Sequence, residues 1–240
     1  MALPMMTTAT YTLTVPSTEK SVKYRPFLIK EEKALLLAQQ SEDPVVMVDT
    51  LKSVIASCVM DKIDVDKLAT FDLEYIFTQI RAKSVGENIE LIFTCDQPSC
   101  ADNEKARLKI GIDLTTLKVE KNPEHTNKFD LFGDVGVVMK YPSIEVVKNM
   151  QSIDDDNLEM IFKVMADSID YIYQGDELFY ANEQSAEELM TFVNNLTSEQ
   201  FLKLQSFFTT MPKLRKEIEY DCPVCKHHHK QVLEGMQSFF

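Results

Sequence analysis

The chain has 240 residues with 38 acidic and 25 basic side chains, which gives a formal net charge of −13 at pH 7. A chain this acidic is a poor general binder of nucleic acid, because affinity for phosphate comes mainly from clustered Lys and Arg. Gly occupies only six positions, which argues against the Gly-rich phosphate loops of the common nucleotide enzymes. No apolar run approaches the ~18 residues that a membrane span needs. The composition therefore predicts an ordinary globular protein.

The N-terminus shows no secretory signal. Residues 1–8 lack the positively charged start and the long apolar core of a signal peptide. We therefore expect an intracellular protein. In a reducing compartment, its five cysteines are expected to be thiols or metal ligands rather than disulfides.

The first third of the chain predicts a polar arm followed by helices. Apolar residues recur at i, i+3 and i+4 spacings after residue 30, which is typical of amphipathic helices. Cys58 falls on the apolar face of one of them, so we expect it to be a core thiol. The predicted elements are a short strand at 11–15, a polar arm at 16–24, and helices at about 31–41, 44–60 and 72–83.

After Gly86 the pattern changes to strands, returns to helices and ends in strands. Two of the later helices begin at capping boxes, Ser185 with Glu188 and Thr197 with Gln200. The other predicted elements are strands at 89–94 and 107–114, a hairpin of 127–131 and 135–141, helices at 143–149 and 154–173, and extended segments at 214–220 and 227–233.

Two pairs of cysteines fall between extended segments and predict one metal site. Cys222 and Cys225 are separated by Pro-Val, a spacing that lets both sulfurs face one cation, and Cys95 with Cys100 is the other close pair. Tetrahedral Zn²⁺ takes four ligands, so the two pairs together predict a structural zinc site of the zinc-ribbon type. Unligated thiols, or a disulfide within either pair, are the alternatives.

Other polar clusters have simpler interpretations than catalysis. His227, His228 and His229 directly follow the second cysteine pair, and we expect them to be solvated or to lie against the site rather than to ligate metal. The acidic groups at 154–156 and 187–188 are typical of helix first turns. The motifs of zinc deaminases and metalloproteases are missing from the sequence, so we expect no enzyme activity.

Several stretches of the chain resemble the baseplate hub assembly proteins of T-even-type contractile-tailed bacteriophages. They are the run PFLIKEEKALL from Pro26, the Asp-Cys-Pro-Val-Cys element that ends at Cys225, the closing segment 233–240, and the β segments 109–121 and 129–141. The resemblance extends from about Tyr24 to Phe240.

The resemblance implies a late phage protein that helps to build the central hub of the tail baseplate in the host cytoplasm. Its partners would be other baseplate hub or tail assembly proteins, with no nucleic acid, no membrane and no small-molecule substrate. The resemblance leaves open whether the protein is retained in the virion tail baseplate or acts only as an assembly chaperone.

Together these features predict an α+β protein with a mainly helical body and a small zinc-ribbon-like antiparallel β unit formed from two sequence-distant hairpins. The consecutive aromatic residues Phe239 and Phe240 are a candidate partner contact, with burial in the protein's own core as the other interpretation. The expected division is an N-terminal arm (1–26), N-terminal helices (27–84), the ribbon-like unit with the C-terminal tail (85–141 plus 213–240) and an inserted helical segment (142–212).

A zinc-ribbon nucleic-acid binder, such as a transcription accessory factor, is the alternative function. Acidic residues at 217, 219 and 221 cancel much of the basic charge near the second cysteine pair, and a steep loss of affinity with salt would favour this alternative. The basic residues are Lys213, Arg215, Lys216, Lys226 and Lys230.

Overall fold

The computed structural model describes residues 7–100, 103–146 and 158–239. The α-helices in these ranges are α1 (Ile29–Ser41), α2 (Pro44–Cys58), α3 (Thr70–Ser84), α4 (Leu158–Asp167), α5 (Ala186–Asn194) and α6 (Ser198–Thr210). The strands are β1 (Tyr11–Thr14), β2 (Ser21–Tyr24), β3 (Asn88–Thr94), β4 (Arg107–Asp113), β5 (Lys118–Glu120), β6 (Lys128–Phe132), β7 (Val135–Met139), β8 (Ile169–Gln174), β9 (Glu177–Tyr180), β10 (Lys213–Asp221) and β11 (His228–Glu234).

The fold mixes helices with several small antiparallel sheets. The sheet orders are β1-β2, β3-β4, β11-β10-β5 and β6-β7-β8-β9. Within the described ranges, no helix has the combination of length and apolar character that crossing a bilayer requires. The acidic run Asp154–Asp156 and the terminal Phe240 lie outside the described residues.

The strand predicted at 11–15 is present as β1, but the polar arm predicted at 16–24 is wrong for residues 21–24, which form β2 and pair with β1 in a hairpin. Its inward side chains, including Leu13 and Val22, are buried with α2 and α3 in the first hydrophobic core. Glu19 closes the turn in the left-handed region at φ 56°, and the backbone N–H of Ser17 donates to the buried Asp72 carboxylate at 2.9 Å. Residues 16–21 are polar, and only Val22 and Tyr24 of β2 point inward, so the alternation typical of a strand was masked there.

The three N-terminal helices occur where the periodicity predicts them. Asp43 caps α2 by accepting a hydrogen bond from the N–H of Val45 at 2.8 Å, and Pro44 occupies its first turn, the position that tolerates a missing N–H. Cys58 is fully buried in the first core, and burial raises the pKa of its thiol to about 11. This cysteine is therefore the core thiol that the sequence predicts.

Two hairpins carry the paired cysteines. The β3-β4 hairpin pairs Asn88 to Thr94 with Asp113 to Arg107, and the β10-β11 hairpin pairs Arg215 to Asp221 with Glu234 to His228. Side chains from both hairpins meet α3 in a second core. Strand β5 adds to the outer edge of β10, a long-range pairing that no local pattern indicates.

The prediction of a helical segment over 142–212 is wrong at 169–180, where the chain forms strands β8 and β9. The helix predicted to reach Tyr173 ends at Asp167. Residues 169–174 combine β-branched and aromatic side chains, which favour strands, and Gly175 supplies the positive φ of 56° for the turn that follows. This hairpin joins β6 and β7 in one sheet, so the hairpin predicted at 127–141 does not belong to either cysteine-bearing sheet.

Of the two interpretations of Phe239, the structure favours burial in the protein's own core, because the side chain is only 1% exposed. It lies in the second core with Leu114 and Leu214, at the end of a short 3₁₀-helix over Met236–Phe239. The last described turn of the chain is therefore part of the protein's own packing.

Glu74 on α3 receives this C-terminal turn. Burial raises the pKa of its carboxyl to about 7, although the backbone N–H of Met236 donates to it and opposes the shift. Gly235, at φ 73°, lies directly before that donor. The carboxylate thus combines a hydrogen bond that favours ionisation with a desolvated position that disfavours it.

We expect this carboxyl to make stability depend on pH. Its pKa is higher in the folded chain than its ordinary value of 4.5, so folding is favoured at low pH and the advantage is lost as pH rises towards about 7. Glu74→Gln mimics the protonated form and should raise the free energy of unfolding at pH 8 by about 1–3 kcal/mol, with little change at pH 4.5. Urea unfolding at pH values from 4.5 to 8 checks this prediction, with the exposed Glu124→Gln as the control. Parallel pH curves for the wild type and Glu74→Gln would contradict the prediction.

Candidate metal centre

The loop between β10 and β11 folds into a tight turn that presents Cys222 and Cys225. The backbone N–H of Cys222 donates to the carbonyl of His227 at 2.9 Å, and the N–H of Lys226 donates back to the carbonyl of Cys222 at 3.0 Å. Lys226 adopts a left-handed conformation with φ 61°, which closes the loop. These bonds direct the two sulfurs to one side of the turn.

The connection between β3 and β4 presents the first pair. The N–H of Cys95 donates to the carbonyl of Ala106 at 3.3 Å, which continues the ladder of the hairpin by one step. Cys100 ends a 3₁₀ turn that begins at Pro98, and its N–H donates to the carbonyl of Gln97 at 2.8 Å. The four-residue spacer between the cysteines is thus folded into a compact loop.

The structure brings these two loops together. The sulfur of Cys95 lies 3.7 Å from that of Cys225, and the sulfur of Cys100 lies 3.7 Å from that of Cys222, 122 positions later in the chain. All four sulfurs lie within 4.8 Å of one another. A disulfide would require about 2.05 Å, and all four cysteines are free thiols.

The spacing of the sulfurs matches a tetrahedral ion. With metal–sulfur bonds of about 2.3 Å, the sulfurs of a regular tetrahedral zinc site lie roughly 3.8 Å apart. The contacts of 3.7 Å between the two loops are close to this value. The cluster can therefore hold a metal ion.

The environment of the thiols is enclosed. Cys95, Cys100 and Cys222 are buried with Ala106, and Cys225 is partly buried. Burial raises the pKa of Cys95 to about 12 and raises that of Cys100. At Cys222 burial opposes ionisation, but hydrogen bonds from the backbone N–H groups of Cys225 and Val224, together with those from the neighbouring thiols, outweigh it and lower the pKa to about 6. The second turn thus stabilises a thiolate through its backbone.

One histidine of the triplet lies against this cluster. The Nε2 atom of His229 is 3.2 Å from the sulfur of Cys95, and its Nδ1 is 3.8 Å from the carboxylate of Asp96. The ring stacks on Tyr220 with centroids 4.9 Å apart. His228 points away and contacts Asp221 at 2.8 Å. The two histidines differ because adjacent residues of a strand face opposite sides, whereas the contributions of Asp96 and Tyr220 had no signal in the sequence.

A cluster of four cysteines satisfies a tetrahedral ion completely and leaves no position for water or substrate. The fold and the site thus define the class of protein: one whose distant β-hairpins meet at an enclosed cluster of four thiols that could hold a metal ion.

A family model described as T4 bacteriophage base plate protein matches residues 6–240 of the chain. The chain therefore belongs to this family and is a phage baseplate protein, as the resemblance in its sequence predicts. No curated protein and no solved structure gives a significant match.

Proposed function

We propose that this baseplate protein acts without catalysis in building the central hub of the tail, through contacts with other hub or tail assembly proteins. In this proposal Cys95, Cys100, Cys222 and Cys225 hold one structural Zn²⁺. The ion fixes the two cysteine hairpins as a zinc-ribbon-like unit. The observation that carries the proposal is the approach of the four sulfurs, with contacts of 3.7 Å between loops from opposite halves of the chain.

Zinc is the ion that this ligand set favours. Soft thiolate ligands in tetrahedral geometry select zinc or iron–sulfur chemistry, and two short loops enclosing a single ion-sized space suit one Zn²⁺. Structural zinc contributes roughly 10–16 kcal/mol of apparent binding free energy. Such an ion would hold α3, both hairpins and the C-terminal turn as one rigid surface for partner proteins.

The acidic groups support the expectation of no catalysis. Glu188 lies in the first turn of α5 and completes a capping box with Ser185, whose backbone N–H it accepts at 2.8 Å. Hydrogen bonds from Ser185 lower the pKa of the Glu188 carboxyl, which suits a cap rather than a general acid. The paired carboxylate at 187–188 thus has a structural use.

The alternative of nucleic-acid binding has less support from the structure. Three basic side chains of the β10-β11 hairpin form ion pairs: Lys213 with Glu234 at 2.6 Å, Arg215 with Glu120 at 3.5 Å, and Lys230 with both Glu217 and Glu219. These pairs neutralise the charges that would otherwise face a phosphate backbone. A salt-dependent affinity for DNA or RNA would nevertheless restore this alternative.

Mass spectrometry of purified mature phage particles tests the proposed role. A hub subunit should be present at a fixed ratio to other baseplate proteins. An assembly chaperone should instead be found in the host cytoplasm with hub or tape-measure intermediates and be missing from particles. If the protein were found neither in mature particles nor with hub or tape-measure intermediates, the proposal would be contradicted.

We also expect His229 to increase the affinity of the site for metal. If Nε2–H donates to the sulfur of Cys95, His229→Phe keeps the stacking on Tyr220 but removes the donor, and metal affinity should fall by about 10–100-fold. His228→Phe is the matched control, since that ring contacts Asp221 instead, and it should leave affinity unchanged. Competition with a chromophoric chelator measures both, and equal affinities for the two variants would contradict the assigned role.

A further inference from the structure

Strand β9 forms an open edge of the four-stranded sheet. It pairs with β8 through Tyr171 with Tyr180 and Gln174 with Glu177, and no described residue pairs with its other side. Leu178, Phe179 and Tyr180 are 48%, 39% and 43% exposed. These large apolar residues lie on the surface of a strand whose hydrogen-bonding edge is also free.

The turn between β8 and β9 determines which backbone groups of β9 bond to β8 and which point away from the sheet. Gln174 and Glu177 close a two-residue hairpin loop, so they exchange both of their backbone hydrogen bonds, and the next residue of β9 does not bond to β8. The N–H and C=O groups of Leu178 and Tyr180 therefore point away from the sheet. An additional strand would bond to these groups.

The opposite edge of the same sheet is covered. Helix α6 packs against β6, and the side chain of Gln200 donates to the carbonyl of Leu131 at 3.5 Å. The unpaired N–H and C=O groups of an exposed edge strand can pair with another chain, which favours aggregation. Only the β6 edge is protected in this way among the described residues.

The outer face of the sheet beside β9 is an ordered aromatic surface. The rings of Tyr171 and Tyr180 lie 5.6 Å apart. Tyr173 covers Gly136, where an added Cβ would lie 2.1 Å from its hydroxyl oxygen, and the hydroxyl donates to Asp130. Fixed tyrosines of this kind supply contact area at little cost in conformational entropy.

The charge around β9 selects the kind of partner. Residues 164–202, which include β8 and β9, contain eight Asp and Glu and no Lys, Arg or His. A cation from outside this range, Lys128 of β6, lies 4.7 Å from the centroid of the Tyr173 ring. Asp176 lies in the β8-β9 turn, Glu177 is the first residue of β9, and Glu183 follows the end of the strand. A second copy of this chain would bring two such acidic surfaces together, which is unfavourable. A basic segment would be attracted.

We propose that the β9 edge binds an extended, Lys- and Arg-bearing segment of another protein by strand addition. The backbone of Leu178 and Tyr180 supplies the hydrogen bonds, the tyrosine face supplies apolar contact, and the carboxylates around the β8-β9 turn supply charge complementarity. Strand addition of this form gives affinity through the main chain and specificity through alternate side chains. This inference does not depend on the zinc site.

The test uses the full chain and an alternating Lys–Thr peptide of about eight residues, the length that spans an ordinary strand. The peptide should slow hydrogen exchange at the amides of Leu178 and Tyr180, as measured by NMR, and its affinity should fall as salt rises. An alternating Glu–Thr peptide of the same length should not bind. Leu178→Pro removes an outward N–H without breaking the hairpin and should weaken binding at least about tenfold, a loss of 1.4 kcal/mol. Leu178→Ala is its matched control.

A charge exchange provides a second variant that does not alter the backbone. Asp176→Lys with Glu177→Lys should abolish binding of the basic peptide and allow the acidic peptide to bind. Glu90→Lys, on the exposed surface of β3, should change neither. The proposal is overturned by no binding of the basic peptide, by equal binding of both peptides, by unchanged affinity in Leu178→Pro, or by self-association through β9 in its place.

Discussion

Cys222→Ser is expected to abolish metal binding and to prevent the two cysteine hairpins from packing as a unit. Removing one thiolate leaves three ligands, and the roughly 10–16 kcal/mol that structural zinc contributes is as large as the whole stability of a typical domain. The hairpins come from opposite halves of the chain, and the cluster is a principal link between their loops. We therefore expect a low yield of folded protein, exposed apolar surface and no bound zinc.

Cys58→Ser is the matched control for this prediction. Cys58 is a buried thiol in the first core, away from the cluster, and placing a hydroxyl there costs about 1–3 kcal/mol. This variant should lose some stability yet retain one zinc per chain. If Cys222→Ser folded as the wild type does and kept its zinc, the proposed ligand set would be wrong.

Phe239→Ala is expected to lower the free energy of unfolding by about 3–5 kcal/mol, the usual cost of removing a buried Phe side chain. The ring is 1% exposed and packs in the core shared by α3 and both cysteine hairpins. A partner contact would behave differently, because its loss would weaken binding and leave unfolding unchanged. Denaturant unfolding of the isolated protein separates these two results.

Phe132→Ala is the control for that measurement. Phe132 is 80% exposed at the tip of the β6-β7 hairpin, so its removal should change the unfolding free energy by no more than about 0.5 kcal/mol. Equal effects at the two positions would contradict the assignment of Phe239 to the core. Phe239 also shows why the sequence left this question open, since two terminal aromatics suit either a core or a partner.

Local patterns were sufficient for much of the fold and for the residues of the site. The apolar periodicity of α2 and α3 and the capping boxes at Ser185 and Thr197 identified helices that the structure contains. The spacing of Cys222 and Cys225 between extended segments indicated a turn that presents both sulfurs. Two cysteines separated by two residues can place both sulfurs on one side of a turn through local contacts alone.

The errors arose where tertiary contacts decide the structure. The apolar residues keep a helical spacing past Asp167, where the helix ends. The β-branched and aromatic residues before Gly175 favour the strand that the structure has there. Strand β2 was not predicted because the polar stretch before it hid its two inward residues, Val22 and Tyr24. The pairing of β5 with β10 and the approach of Asp96 to His229 depend on residues roughly a hundred positions apart, which a single sequence does not encode locally.

X-ray absorption at the zinc edge, combined with metal analysis of protein purified without chelator, tests the central claim most directly. The account predicts one zinc per chain with four sulfur neighbours at about 2.3 Å. Substoichiometric zinc, or a first shell containing nitrogen or oxygen in place of sulfur, would contradict it.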